Sequence, residues 1–190
     1  VIKLQDHFHG WHDYAMVGSD RSAPGIPEAC WGTMIVVPGG DLGAVEDAIK
    51  RDPDVAAIIL EPTGAHFGQL PFDAPNYLKE LREITAQTGV ILIFDEVVTG
   101  FRAAPGGVQE RYGVRPDLTT MAKIVAGGLP GGAVGGKADI IDMIAHRNEP
   151  DWDNNHRVYH PGTFNGNPLS AAAGAAALEM IASQPINEQD

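Results

Sequence analysis

Two continuous apolar runs constrain the fold of this chain more than any other feature of its sequence. They are VAAIILE, residues 55–61, and VILIFD, residues 90–95, and each has the length of one strand. A strand that faces water on one side alternates apolar and polar residues, whereas a strand covered on both faces is apolar throughout. The segment between the runs, NYLKELREITAQT, places Leu78, Leu81 and Ile84 on one helical stripe. The pattern therefore predicts buried strands that alternate with a helix.

The remaining segments continue this alternation of strands and helices. Further strands are predicted in VIKLQD, MIVVP, LTTMAK and GAVGG. Asp41 is predicted to cap the helix LGAVEDAIKRD, Pro75 to open the helix that follows VAAIILE, and Gly89 to end it. Two more helices are predicted in ADIIDMIAHR and NPLSAAAGAAALEMIA, and residues 147–158 are predicted to form an exposed insertion. This order predicts an α/β fold with a mostly parallel sheet and helices on both faces.

Charge and composition exclude several classes of function. The 190 residues carry a net charge of −12, whereas a protein that binds nucleic acid needs a basic surface for the phosphates. No apolar run approaches the length of a membrane span, and no basic-then-apolar start marks a signal peptide. Cys30 is the single cysteine, which excludes an intrachain disulfide and is typical of a reducing cytoplasm. We therefore expect a cytoplasmic globular protein that binds neither nucleic acid nor membrane.

Three ionisable residues, Glu61, Asp95 and Lys123, stand at the ends of predicted strands. Because ligands of an open parallel sheet gather beyond the carboxyl ends of its strands, these residues predict a site there, with solvated loop charges or a simple ion pair as the alternative. Lys123 precedes the glycines of AGGLPGG, which is the reverse of a Walker phosphate loop. A partly desolvated lysine beside such a turn can form a Schiff base. A buried acid needs a partner, and the protonated nitrogen of a pyridine ring is one such partner.

Five segments in a fixed order carry a resemblance to a known family. They are FHGWH (8–12), LEPTG (60–64), FDEVVTGFR (94–102), MAKIVAGGLPGGAVGG (121–136) and HPGTFNGNPLSAAA (160–173). In this order, they resemble the large domain of class III aminotransferases, which are fold type I pyridoxal phosphate enzymes, and especially the glutamate-1-semialdehyde aminomutase-like branch. The resemblance implies that residues 1–190 form a single pyridoxal phosphate-binding large domain, without the family's usual amino-terminal segment and carboxy-terminal small domain.

The resemblance also assigns roles to individual residues. Lys123 would form the Schiff base with pyridoxal 5′-phosphate and later carry a proton, and Asp95 would pair with the pyridinium nitrogen. Val97 would pack on one face of the ring, and Phe8, where the family usually has Tyr, would stack on the other. Thr163 is similar to the threonine that reaches the cofactor phosphate of the neighbouring subunit, which implies a homodimer or higher oligomer. The alternative for Thr163 is a residue of the turn that opens the last helix.

Two further groups have less defined roles. Glu61 resembles a carboxylate on the substrate side, and His9 is expected to support the cofactor site beside the stacking Phe8. The histidines of HFHGWH suggest a metal site, but no Cys or carboxylate cluster completes it, so we expect no metal. The neighbouring acids Asp95 and Glu96 are not expected to share a cation, because consecutive strand residues point to opposite faces.

The family resemblance implies a transaminase that moves an amino group from an amine or amino acid to a keto acid, ketone or aldehyde. Three departures from the family pattern keep alternatives open: the phosphate-cupping turn upstream of the HG motif is missing, Val98 stands where many members have Gln, and the loop in residues 15–31 is shortened. The short loop favours a transaminase over an aminomutase. An aminomutase-like isomerase and a non-catalytic cofactor-binding remnant are the alternatives.

Overall fold

A six-stranded sheet forms the centre of the molecule. The computed structural model describes residues 1–18, 24–64, 74–184 and 186, and five residues of the predicted short loop, 19–23, lie outside this part. The strand order is β2-β1-β3-β4-β5-β6, and every neighbouring pair is parallel except the antiparallel pair β5–β6. The strands are β1 Ile2–Leu4, β2 Ile35–Val37, β3 Ala57–Leu60, β4 Ile91–Asp95, β5 Leu118–Ala122 and β6 Gly132–Gly136. All the predicted strands are present, and the predicted α/β fold with a mostly parallel sheet is confirmed.

One face of the sheet holds the hydrophobic core. The strand residues on this face are almost completely buried: Ile2, Leu4, Ile58, Leu60, Leu92 and Phe94. Two helices cover them, α1 Leu42–Arg51 and α2 Ala74–Thr88, which contribute the core residues Val45, Ala48, Leu78 and Leu81. The alternate residues Ile59, Ile91 and Ile93 are only half-buried in the described part of the chain. The fully apolar strands therefore have one tightly packed face and one less covered face.

The long helices begin and end where the sequence predicts. Asp41 caps α1 by accepting a hydrogen bond from the Ala44 N–H at 2.9 Å. Helix α2 stops before Gly89, whose φ of 76° is in the left-handed region that glycine tolerates. Helix α5, Pro168–Ser183, begins after Asn167, whose side chain accepts from the N–H groups of Leu169 and Ser170. Capping side chains thus define helix ends that the sequence pattern alone locates.

Two predictions about shorter elements need correction. The segment ADIIDMIAHR is helical only in α4, Ala138–Ile141, and a 3₁₀ turn Asp142–Ile144 follows. The chain becomes extended at Ala145, whose carbonyl accepts from the indole N–H of Trp152 at 2.9 Å instead of continuing the helix. Helix α3, Gly107–Tyr112, has no counterpart in the predicted elements. Other short turns are the 3₁₀ turns Asp13–Met16, Glu28–Thr33 and Lys123–Ala126 and the π-helical turn Trp152–His156.

The predicted insertion, residues 147–158, is ordered by its own side chains. The Arg147 guanidinium lies 3.6 Å from the centre of the Trp152 ring. Asp153 accepts from the N–H groups of Arg147 and Glu149. Among the described residues, no helix combines the length and the apolar character needed to cross a membrane.

Asp117 joins three elements at the edge of the sheet where β5 begins, which is opposite the edge where β3, β4 and β5 end. This buried carboxylate accepts from Arg82 of α2 at 2.8 Å, from the Leu92 N–H of β4 at 2.7 Å, and from Lys137 after β6 at 2.6 Å. Burial by itself raises the pKa of Asp117, but the hydrogen bonds from Lys137, the Leu92 N–H and Arg82 outweigh it, so the pKa lies below its usual value. Asp117 therefore stabilises the fold in its ionised form.

We expect Asp117→Asn to lower the free energy of unfolding at pH 7 by about 1–3 kcal/mol, because charge-assisted bonds to buried groups are lost. The contribution of the carboxylate is complete above its unfolded pKa of about 4 and is lost as the pH falls through the lower folded pKa. Urea unfolding of the variant should therefore lose part of the parent's acid sensitivity below pH 4. Exposed Asp139→Asn is the control; equal losses for the two variants would contradict the role of Asp117.

Candidate active site

Three neighbouring strands bring the predicted ionisable residues to one edge of the sheet. The parallel register pairs Leu60 of β3 with Phe94 of β4 and Asp95 with Thr120 of β5. Glu61, which follows β3, is therefore next to Asp95, the last residue of β4. Lys123 directly follows β5. The predicted meeting of Glu61, Asp95 and Lys123 at the carboxyl ends of adjacent strands agrees with this topology.

Asp95 is a buried carboxylate with two hydrogen-bond donors, one local and one distant in the sequence. Its residue is 8% exposed. Oδ2 lies 2.8 Å from Nδ1 of His9, and Oδ1 accepts from the Val97 N–H at 3.1 Å. Since a carboxylate only accepts, the contact assigns the proton of His9 to Nδ1. The chain thus holds Asp95 from one side through a turn and from the other through an imidazole.

A second layer of buried polar residues lies behind this contact. Nδ1 of His7 accepts from the Glu61 N–H at 2.9 Å, and the His7 and His9 rings are 6.2 Å apart. Lys3 is completely buried and donates to the Ala15 carbonyl at 2.9 Å. Burial lowers the pKa of Lys3. No cluster of three potential metal ligands occurs among the described residues. His7 and His9 both act as hydrogen-bonding groups.

Sequence reasoning missed the partners of these histidines. His9 and Asp95 are 86 residues apart, and His7 and Glu61 are 54 apart, so no local pattern links them. The available signal was the placement of HFHGWH directly after the first strand, at the same sheet edge as Asp95. That placement favours a hydrogen-bonding role over a separate metal site.

Phe8 and Val97 are the residues predicted to flank a ring: Phe8 precedes His9 in the sequence, and the Val97 N–H donates to Asp95. Phe8 is between His7 and His9, is half-buried, and meets the Trp11 ring edge-on with centroids 5.2 Å apart. Val97 is half-buried in the turn after β4. The roles of Phe8 and Val97 as ring-packing residues remain predictions.

Lys123 opens the 3₁₀ turn Lys123–Ala126 and, unlike Asp95, is exposed. Its φ of 54° is in the left-handed region, which is uncommon for a residue with a side chain. The turn packs against helix α5. An accessible amine therefore lies on a strained turn at the strand end adjacent to a buried carboxylate.

Glu96, the residue after Asp95, accepts hydrogen bonds from the start of helix α3. Its buried carboxylate accepts from the Val108 N–H at 2.7 Å and from the Thr99 hydroxyl at 3.1 Å. A cavity of about 630 Å³ is lined by Glu96, Phe101 and Gln109, among others, but not by Asp95 or Lys123. Gln109 also donates to this carboxylate, through its backbone N–H at 3.4 Å and its side-chain amide at 3.3 Å, so four hydrogen bonds from its own chain satisfy Glu96.

Thr163 is in a turn and not at the end of a strand. It is exposed at the start of the turn 163–166 that precedes α5. The cap of that helix is Asn167, so Thr163 does not supply the capping oxygen. Within the described part of the chain, no hydrogen bond joins Thr163 to Asp95 or Lys123, and its predicted role concerns a neighbouring subunit.

His7 makes the stability of this region depend on pH. Burial, followed by the nearby His9 and Lys3, lowers the pKa of His7 from 6.5 to about 4. As the pH falls, His7 of the unfolded chain therefore becomes protonated near pH 6.5, whereas His7 of the folded chain becomes protonated only near pH 4. The free energy of unfolding should fall over this interval by on the order of 1–3 kcal/mol.

We expect His7→Gln to reduce this fall, because an amide oxygen can still accept from the Glu61 N–H but does not titrate. Urea unfolding between pH 7 and pH 4 measures the change. Exposed His12→Gln is the matched control and should keep the parent's slope. Identical slopes for parent and His7→Gln would show that His7 is not the titrating group.

The chain is similar in sequence to a known protein family. Residues 1–190 match the family described as aminotransferase class-III. A glutamate-1-semialdehyde 2,1-aminomutase from Desulfotalea psychrophila is 43% identical over 190 residues, and one from Methanococcus vannielii is 44% identical over 191 residues. Each match covers 95% of this chain and 42% of the relative, so the chain spans about two fifths of their length.

Two solved aminotransferase structures are similar to this chain. An omega-transaminase from Sphaerobacter thermophilus superposes with a TM-score of 0.83 at 35% identity, over 95% of this chain and 43% of that one. A beta-phenylalanine aminotransferase from Variovorax paradoxus gives a TM-score of 0.76 at 31% identity, over 98% of this chain and 40% of that one.

Proposed function

The chain belongs to the class-III aminotransferase family, and we propose that it uses pyridoxal 5′-phosphate to move an amino group from an amine or amino acid to a keto acid, ketone or aldehyde. In this proposal residues 1–190 are the cofactor-binding large domain. The observation that carries it is that Asp95 and Lys123 lie at the ends of adjacent strands. Asp95 is buried and accepts two hydrogen bonds, whereas Lys123 is exposed.

The chemistry of these residues suits the cofactor. A carboxylate can accept about four hydrogen bonds, and Asp95 accepts two from its own chain, which leaves capacity for a protonated ring nitrogen. The buried Nε2 of His9 has no hydrogen-bond partner among the described residues, so the polar layer is incomplete without further groups. When bound, the cofactor supplies a ring that withdraws electrons from the substrate's α-carbon.

Each residue then has a definite task. Asp95 would bind and orient the ring through its nitrogen, and the His9 Nδ1–H holds the carboxylate in place. Lys123 would hold the cofactor through Nζ, and the same amine would move a proton to or from the substrate's α-carbon. Phe8 and Val97 would pack on opposite faces of the ring.

We propose that Glu61, which lies next to Asp95 at the end of β3, faces the substrate side of this site. Donor and acceptor are small molecules in this proposal. The single cysteine supports a cytoplasmic location, where thiols stay reduced.

A second candidate, a glutamate-1-semialdehyde aminomutase-like isomerase, is supported by the 43–44% identity to two proteins of that name. It needs the same Lys123 and Asp95, but one substrate serves both half-reactions. A non-catalytic remnant that binds the cofactor without turnover is the third possibility.

We expect pyridoxal 5′-phosphate to produce a near-ultraviolet to visible absorbance band with the parent chain, because Lys123 binds the aldehyde covalently. Lys123→Ala should abolish the band. Lys79→Ala, which removes another exposed lysine, should keep it. A parent chain without any band at saturating cofactor would contradict both enzyme proposals.

Amino donors then separate the candidates. A transaminase should lose the band with alanine or 1-phenylethylamine and recover it with a carbonyl acceptor. An aminomutase should convert glutamate-1-semialdehyde without a second substrate. A band that responds to no donor and no semialdehyde supports the remnant.

We also propose a homodimer, in which Thr163 serves the cofactor phosphate of the partner subunit. Large apolar side chains near Thr163 are exposed, with Tyr159 at 75%, Phe164 at 80% and Leu169 at 69%. Such a patch is typical of an interface rather than of a solvent-facing surface.

Light scattering should therefore give about twice the chain mass of 20.2 kDa. The double variant Tyr159→Ser/Phe164→Ser should shift the mass towards the monomer because it removes the apolar contact, whereas Met180→Ser, near the other end of α5, is the control. A monomeric parent at every concentration tested would exclude the assigned role of Thr163.

A further inference from the structure

The backbone at Lys123 is in a conformation that its side chain disfavours. Its φ is 54°, and the residue has neither the missing Cβ of glycine nor the short polar side chain of asparagine. For a residue with a Cβ, the left-handed region brings that atom too close to the following carbonyl oxygen. Such a conformation persists only where surrounding contacts impose it.

Helix α5 supplies contacts that can impose it. A Cβ on Gly127, which ends the Lys123 turn, would collide with the Ala173 carbonyl of α5. A Cβ on Gly174 of α5 would collide with the Val125 carbonyl of the turn. The two backbones thus touch through a pair of glycines, and neither tolerates a larger residue without movement.

A hydrogen bond extends this contact. The Ser170 hydroxyl of α5 donates to the Pro130 carbonyl at 2.8 Å, in the segment after the turn. Helix α5 therefore contacts the chain both within the turn and after it. We call these contacts, from Gly127, Ser170 and Gly174, the α5 clamp.

We propose that Gly127 and Gly174 are positioning residues, which hold the Lys123 turn against α5 and so keep Lys123 in the left-handed conformation that directs its amine. That the amine is directed at pyridoxal phosphate rests on the proposed function. With the clamp opened, the turn moves off the helix and Lys123 can relax to an ordinary backbone conformation, which carries the amine away.

A double-mutant cycle on the cofactor-free chain tests the clamp. In the parent background, Lys123→Gly should be more stable than Lys123→Ala, with an unfolding equilibrium constant about threefold to tenfold smaller, because glycine adopts this φ without strain. In the Gly174→Ala background the difference should shrink to less than about twofold, because the turn is no longer held. Urea unfolding measures all four variants.

Gly43→Ala is the matched control, since Gly43 is also a helical glycine but its Cβ would meet only a side-chain oxygen of Asp41. It should leave the advantage of Lys123→Gly unchanged. If Gly174→Ala does not fold, Ser170→Ala loosens the same clamp more gently and should reduce the same difference. Equal stability of Lys123→Gly and Lys123→Ala in the parent, or an unchanged difference in the clamp variants, would overturn the proposal.

Chemical trapping tests the consequence for the amine. The Lys123 amine condenses with the cofactor aldehyde with loss of water, and borohydride then adds hydride to the C=N bond, so the product survives denaturation. Mass spectrometry of the Lys123 peptide should show trapping slowed by about tenfold or more in Gly174→Ala relative to Gly43→Ala. Equal rates would overturn the positioning role. Because the stability cycle uses no cofactor, failure of the parent to trap cofactor would count against the proposed function instead.

Discussion

The parallel pairing of β4 with both β3 and β5 is the constraint on which the site depends. Strands that run in the same direction end at the same edge, so Asp95 lies beside the residues that follow β3 and β5. An antiparallel neighbour would send its end to the opposite edge, as β6 does relative to β5. The apolar face under α1 and α2 fixes the register, because a slip of one residue would expose the core side chains. The hydrophobic core thus decides which charged residues can meet.

The buried polar residues behind the site are each accommodated in a different way. Lys3 keeps one strong acceptor, the Ala15 carbonyl, and its buried stem fills space as an aliphatic chain. His7 stays neutral and accepts from a backbone N–H. Asp95 retains spare acceptor capacity, and the buried Nε2 of His9 lacks a partner in the described part of the chain. Unsatisfied capacity concentrated at one sheet edge is the pattern of a binding site rather than of a core optimised for stability.

The sequence predicted the elements whose signal is local and missed those whose stabilising partner is distant. The apolar runs and the caps Asp41 and Asn167 act within a few residues, so the strands and α1, α2 and α5 were foreseeable. Helix α3 has no side-chain cap of its own, and its first turn donates to Glu96 from 12 residues away. The same distinction applies to the site. The strand ends were foreseeable from topology, whereas the His9–Asp95 contact depends on how a loop folds over the edge.

Helix α5 packs closely against the Lys123 turn but buries little hydrophobic surface. Gly174 is its only buried residue, and a glycine buries almost no apolar surface, so the helix gains little from the core. Helices of this length usually depend on tertiary packing for their stability. The contact of α5 with the Lys123 turn is backbone against backbone, which explains why alanine and glycine, and not leucine, occupy that side. In the proposed homodimer, its exposed Leu169 then provides apolar surface that a second subunit can cover. In these proposals, the helix that positions Lys123 would be stabilised by the same association that would bring Thr163 to the partner's site.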